Sequence, residues 1–192
     1  MSFARWSSDY RKGFSVILQP KEVEDDFELL EGVSRLEDWP DDVIVPMDPD
    51  FPKDLQLGDN LYGIDLAVVS APLKDDLLSR GCKRVEFLPV KIVNHKGRVE
   101  NPVFFIMNPL EVVDCIDIEA SGVDWNPLDE VDILGCQGLV LRWDAVPADL
   151  KIFRPKHWKD LILVHEELVG SLKATGFSGL VFPEAEGYTG VG

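Results

Sequence analysis

The stretch from Lys83 to Ser121, KRVEFLPVKIVNHKGRVENPVFFIMNPLEVVDCIDIEAS, constrains the fold more than any other part of the chain. Val85, Phe87 and Ile92 are apolar with polar neighbours, the pattern of a half-buried strand. His95-Lys96-Gly97 reads as a turn, because glycine supplies the positive φ of a tight reversal. Val103 to Met107 is a continuous apolar run of strand length, which predicts a strand buried on both faces. Val112 to Ile118 forms a third run beyond Asn108-Pro109. Three runs joined by short connections predict a meander at the centre of a sheet. Pro89 and Pro109 lack an amide donor, so each is expected at an edge, a bulge or a strand end.

On either side the same grammar recurs. Leu66 to Val69 predicts a strand, Ser70 an N-cap and Pro72 the first helical turn. Leu73, Leu77 and Leu78 make an apolar face, and Gly81 stops the helix. Near the end, Asp160 to Val164 predicts a strand, Leu168 and Leu172 a helix, Gly176 its stop and Leu180 to Phe182 the next strand. A shift of 95 positions lays Asp65 on Asp160, Leu73 on Leu168, Leu77 on Leu172, Gly81 on Gly176 and Phe87 on Phe182. This is the pattern of two strand–helix–strand units around the meander; any two capped helices between strands would also produce it. The two helices are expected at about Ala71–Arg80 and Glu166–Thr175.

The N-terminal third reads differently. Phe14, Val16 and Leu18 alternate as a first strand would, and Phe27, Leu30, Val33 and Leu36 are spaced for a short amphipathic helix over 25–36. Val43 to Val45 suits a short edge strand within a Pro- and Asp-rich segment. From Glu22 to Asp59 there are fourteen acidic residues against Arg35 and Lys53, a local charge of −12 out of −16 for all 192 residues. Such a field repels nucleic-acid backbone and anionic membrane and attracts a basic partner. An acidic face that serves only solubility is the alternative. The candidate partner-binding residues are Asp25, Asp26, Glu28, Glu31, Trp39, Asp41 and Asp42. Arg154, Lys156 and Trp158, in the chain's one basic and aromatic cluster, are a second possible contact. Otherwise Trp158 plugs the core while the cations stay wet.

Catalytic signatures do not appear. His95, His157 and His165 lie in no zinc-ligand spacing, and no cofactor or metal is expected. Asp124-Trp125-Asn126 begins like a calcium loop, but Leu128 stands where a third oxygen ligand belongs. Cys82, Cys115 and Cys136 sit in apolar contexts and read as reduced core residues. No run is long enough for a membrane span. Ala120 to Leu134 reads as an acidic loop, Leu139 to Trp143 as a strand, and Glu184 to Gly192 as a mobile tail.

The segments Leu66–Ser70 with Leu73 and Leu77, Glu86–Val90, Val113–Asp117 with Ser121, Lys151–Arg154, Leu163–Leu168 and Gly176–Phe182 resemble a bacterial immunity-protein family, number eleven among those of polymorphic toxin systems. The resemblance spans about residues 65–182. It implies a cytoplasmic protein that binds and neutralises a cognate toxin without chemistry of its own. From the residues alone, a small enzyme with a dispersed active site and an adaptor without inhibitory role stay open beside it. The expected fold is α+β: a mainly antiparallel sheet with two packed helices over 63–192, preceded by a less regular acidic lobe over 1–62.

Overall fold

The computed structural model describes residues 2–190 apart from 22, 24, 25, 102 and 159, and all their side chains but those of Asp26 and Glu130. The elements in chain order are β1 (Phe3–Arg5), β2 (Ser7–Ser8), β3 (Ile44–Pro46), β4 (Ala67–Ser70), α1 (Ala71–Ser79), β5 (Val85–Val93), β6 (Phe104–Pro109) and β7 (Val112–Val113). They continue as α2 (Ile118–Ser121), β8 (Val123–Asn126), β9 (Asp129–Cys136), β10 (Ile152–Pro155), β11 (Leu163–His165), α3 (Glu166–Thr175) and β12 (Leu180–Val181). The fold is α+β, with antiparallel pairing dominant.

The first sheet has the order β3-β5-β6-β4. β5 and β6 are its centre, as their apolar runs predict, and Val85 pairs with Pro109 through to Val90 with Phe104. β5 uses both faces. Leu88, Val90 and Ile92 join one core with Ile17, Leu29, Val43, Val45 and Met47 from the N-terminal third. Val85 and Phe87 face the opposite core beside α1 and α3. The sheet is therefore covered by helices on one side and by the acidic segment's few apolar residues on the other.

Pro109 ends β6 as expected. Pro89 falls inside β5, opposite Phe105, and β3 pairs only from Lys91 onward. The outer side of Pro89 thus faces no ladder, and its carbonyl accepts from Trp39 Nε1 at 2.9 Å instead. A missing amide costs little at such a place.

The second assembly is β1-β11-β10-β7, with β12 pairing β2. Arg5 N donates to Pro183 O and Trp6 N to Ile162 O, each at 2.8 Å. The N-terminal strand therefore lies between β11 and β12, antiparallel to both. In the first sheet, β6 likewise lies between β4 and β5. Each helix joins two parallel strands across an inserted antiparallel one. The expected boundary between 62 and 63 is crossed by the pairs β1·β11, β2·β12 and β3·β5.

Several expectations are corrected. The third run of the meander leaves the sheet: only Val112–Val113 is strand, and it pairs in parallel with β10. Asp117 then caps α2 by accepting from Ala120 N, and Gly122 ends it in the left-handed region. The stretch read as an acidic loop is a β8–β9 hairpin. Leu139 and Leu141 are buried, but only Leu141 touches a partner strand position, Ile116. The tail is packed through residue 190's neighbourhood: Ala185 is buried and Tyr188 stacks on Trp158. The 25–36 helix is a 3-10 turn at Asp26–Leu30 that buries Leu29, while Phe27, Val33 and Leu36 are exposed. Gly32 (φ 72°) ends it where an added Cβ would meet Val112 and the Pro109 carbonyl at 3.0 and 3.1 Å. Around Phe14 the chain makes single-residue bridges rather than a strand, burying Ser15, Val16 and Ile17 in succession and exposing Leu18. Val103 lies just before β6 and is exposed, and Phe105 within β6 is half-buried. On α1, Leu73 and Leu77 are buried but Leu78 is exposed.

Candidate partner-binding site

Acidic residues between 31 and 42 belong to a length of chain that runs along the free edge of β5. Ser34 Oγ and Arg35 N donate to the Glu86 carboxylate at 2.7 and 3.0 Å, Trp39 reaches Pro89, and Asp42 pairs with Lys91. Beyond these tethers β3 completes the edge by parallel pairing. A row of unpaired amides and carbonyls is thereby covered by charged, proline-rich chain, which keeps other strands away.

The candidate residues have different fates within it. Asp41 and Asp42 are exposed, and so is Glu31. Glu28 bonds to the buried Arg35 at 3.3 Å, and Arg35 also reaches Asp38 at 3.0 Å. Glu28 is thus part of an anchor rather than a bare surface charge. Trp39 is half-buried against the core. Asp25 lies outside the described residues, as does the side chain of Asp26.

The basic cluster divides in the same way. Arg154 is only 1% exposed and presents no contact surface, and Trp158 is buried apart from the edge that lines the adjacent cleft. Burial pulls the Arg154 guanidinium down to about 10, with the charge of Asp160 acting against that fall. Lys156 alone is exposed, 3.5 Å from Asp114. Between them His157 has φ 72°, the one positive value among described non-glycine residues.

Next to this loop opens a cleft of about 1200 Å3, walled by the N-terminal strand, residues 60–67, Trp158 with residues 160–162, and the β8–β9 hairpin. Asp9, Asp65, Asp132 and Asp160 line it, and Arg5 is its one cation among the described residues. Arg5 is itself held over the Tyr188 ring, 3.6 Å from the centroid, with Nε donating to Glu184 O. Tyr10, Tyr62 and Trp158 add aromatic wall. The combination suits a cationic ligand with apolar parts.

Asn60 lines the cleft, and Asp59 precedes it. The Asp59 carboxylate accepts from Ser70 Oγ (2.8 Å), Ser178 N (2.9 Å) and Ser178 Oγ (2.8 Å). Asn60 accepts from Trp6 Nε1 at 3.1 Å and donates to Gly179 O at 3.1 Å. These bonds join the ends of the two strand–helix–strand units. In the sequence, Asp59 is indistinguishable from the acidic residues before it. Glu86 shares the inward row of Leu88, Val90 and Ile92, but that row is known only from the fold, so its burial also has no signal in the sequence.

Chemistry is poorly served here. Burial pushes the thiols up, Cys82 to about 11 and Cys115 to about 12, so both stay protonated and unreactive at neutral pH. No group of three or more potential metal ligands occurs among the described residues. His165 is the N-cap of α3, accepting from Glu167 N at 3.2 Å, and His157 holds the hairpin. No helix among the described residues is long and apolar enough to cross a membrane.

The model of one family, described as Immunity protein family (Imm11), matches residues 7–187. No curated protein matches the chain. The match takes in the N-terminal segment as well as residues 65–182.

Proposed function

The chain belongs to the Imm11 immunity protein family, and from that membership we propose that it binds a cognate bacterial toxin in the cytoplasm and neutralises it by occlusion. The family match carries the reading. The charge supplies the recognition chemistry: a protein at −16 attracts a basic surface over a distance and slows its own self-association. Two acidic surfaces are available, the β5 edge cover with Glu31, Asp41 and Asp42, and the cleft. This reading requires no cofactor and no catalytic step; the buried thiols serve the core, and His157 and His165 serve the fold.

Co-expression with the cognate toxin tests the function: cells survive with the chain and die without it. Surface plasmon resonance tests the chemistry. Rim charges act mainly on association, so Glu31→Lys, Glu37→Lys, Asp41→Lys and Asp42→Lys together should lower the on-rate about tenfold and leave the off-rate nearly unchanged. The wild-type on-rate should fall as salt rises, because exposed charges are screened beyond roughly 8 Å at physiological ionic strength. A salt-independent on-rate, unchanged in the quadruple variant, would leave the edge cover as a solubilising and edge-protecting face.

A further inference from the structure

The β8–β9 hairpin departs from what a small two-stranded ribbon usually presents to water. Leu128 at its tip is 95% exposed, Leu134 68%, Val131 57% and Trp125 38%. An isolated hairpin is marginal in water, and exposed apolar side chains gathered on one element mark contact sites; here Val131 shares a face with Trp125, Leu134 lies on the opposite, cleft-side face and Leu128 is at the tip. This one is braced from behind. Ile133 N donates to His157 O at 2.7 Å, and His157 Nδ1 meets Val131 O at 2.7 Å. The same ring packs edge-on to Trp125, centroids 5.5 Å apart. A residue held at φ 72° costs free energy, and here its main chain and its ring both serve to hold the ribbon. The apolar side chains are thus displayed on a fixed platform, which reduces the ordering cost of binding.

The platform is also strongly one-signed. Val123 to Cys136 contains Asp124, Asp129, Glu130 and Asp132 and no lysine or arginine. Exposed strand edges are commonly guarded by lysine; acids alone repel an acidic neighbour, including a second copy of this chain, and admit a basic one. β8 carries no further strand on its outer edge among the described residues. On the other side, Asp132 and Leu134 form a wall of the acidic cleft.

Resting on the immunity reading above, we propose that the hairpin and its cleft wall are the docking site for the toxin, which presents an extended basic segment bearing apolar side chains. The edge cover at Glu31–Asp42 then steers the encounter, and the hairpin holds the complex. Loss of the apolar display should act on the off-rate, the opposite signature to that of the rim charges.

The test uses the full chain and a strand-length peptide of alternating lysine and leucine, followed by backbone amide NMR and calorimetry. The expected result is binding that shifts the amides of 123–136. It should weaken at least tenfold in the variant Leu128→Ser/Val131→Ser/Leu134→Ser, whose melting temperature stays that of wild type because those side chains are exposed. A lysine–serine peptide should bind more weakly and a glutamate–leucine peptide not at all. As a second variant, Asp124→Lys leaves the apolar display intact and should also weaken the lysine–leucine peptide. Equal binding by the triple variant, or shifts confined to residues 26–42, would overturn the proposal. So would a wild-type dimer that the triple variant makes monomeric, since a second copy would then cover the hairpin. Co-expression separates the two levels. If the triple variant still protects against the toxin with unchanged affinity, the docking site is wrong and the immunity function stands. If the wild type itself gives no protection, both fail.

Discussion

The units β4–α1–β5 and β11–α3–β12 place corresponding positions, 95 apart, in the same roles. Ser70 and His165 are the N-caps. Val69 and Val164, Leu73 and Leu168, and Leu77 and Leu172 are all buried in one shared core. Gly81 and Gly176 both take positive φ, and Arg80 Nη2 donates to its counterpart Thr175 at 3.1 Å. The difference is the strand between. In the first unit it is β6, which follows β5 after a short connection; in the second it comes from the extreme N-terminus. One unit is thus completed by neighbouring chain and the other by a partner more than a hundred residues away, with the larger loop-closure cost that implies. Equivalent packing therefore does not mean equivalent independence.

Three predictions bear on that comparison, the largest effect first. Leu77→Ala and Leu172→Ala each remove a fully buried side chain from the shared core and should each cost about 2–5 kcal/mol in denaturant melts. Similar values support equivalence; a gap wider than about 2 kcal/mol would break it. Gly179→Ala should come next. Its φ is 76°, and an added Cβ would sit 2.1 Å from Asn60 O, so a cost of about 1–3 kcal/mol from backbone strain is the floor. Its counterpart, Arg84, has no such neighbour constraint, and Arg84→Ala should stay within about 0.5 kcal/mol. Equal losses at the two positions would mean that the Asp59–Asn60 latch does not hold the second unit. The smallest effect concerns pH. Cys82 in the first unit corresponds to Phe177 in the second. Its folded pKa is raised to about 11, so the folded state keeps its proton after the unfolded state has lost it. The resulting stability is fully present below the unfolded value of roughly 8.5 and is lost as pH rises toward 11. Cys82→Ala should flatten part of that alkaline decline; an unchanged decline would assign it wholly to other groups such as Cys115.

The histidines show why an absence of motifs says little about tolerance to mutation. Read from spacing alone, all three are dispensable. In the fold, His165 caps a helix and His157 braces the hairpin. One is a local bond two residues long and the other spans 26 residues, and neither carries a sequence signature.

Local chemistry was readable without coordinates. Ser70, Pro72 and Gly81 bound α1 to within a residue, because capping and φ preferences act over a single turn. The apolar runs at Val85 and Phe104 determined the central strand pair, and the offset of 95 exposed the two units. The acidic balance sets the sign of the long-range field, which favours a basic partner over an anionic one. What only the tertiary structure decided depends on contacts across long separations. Val112 left the meander because β10 was there to pair with it. The even row of β5 turned inward because the N-terminal third supplied a second core, which no local alternation reveals. Asp59 became a latch, while Asp41 and Asp42 stayed in water, though all are aspartates in one acidic run. Arg154 went into the core and Leu128 out of it, against their hydropathies. A side chain's burial is set by what the rest of the chain places over it, and that is a property of the fold.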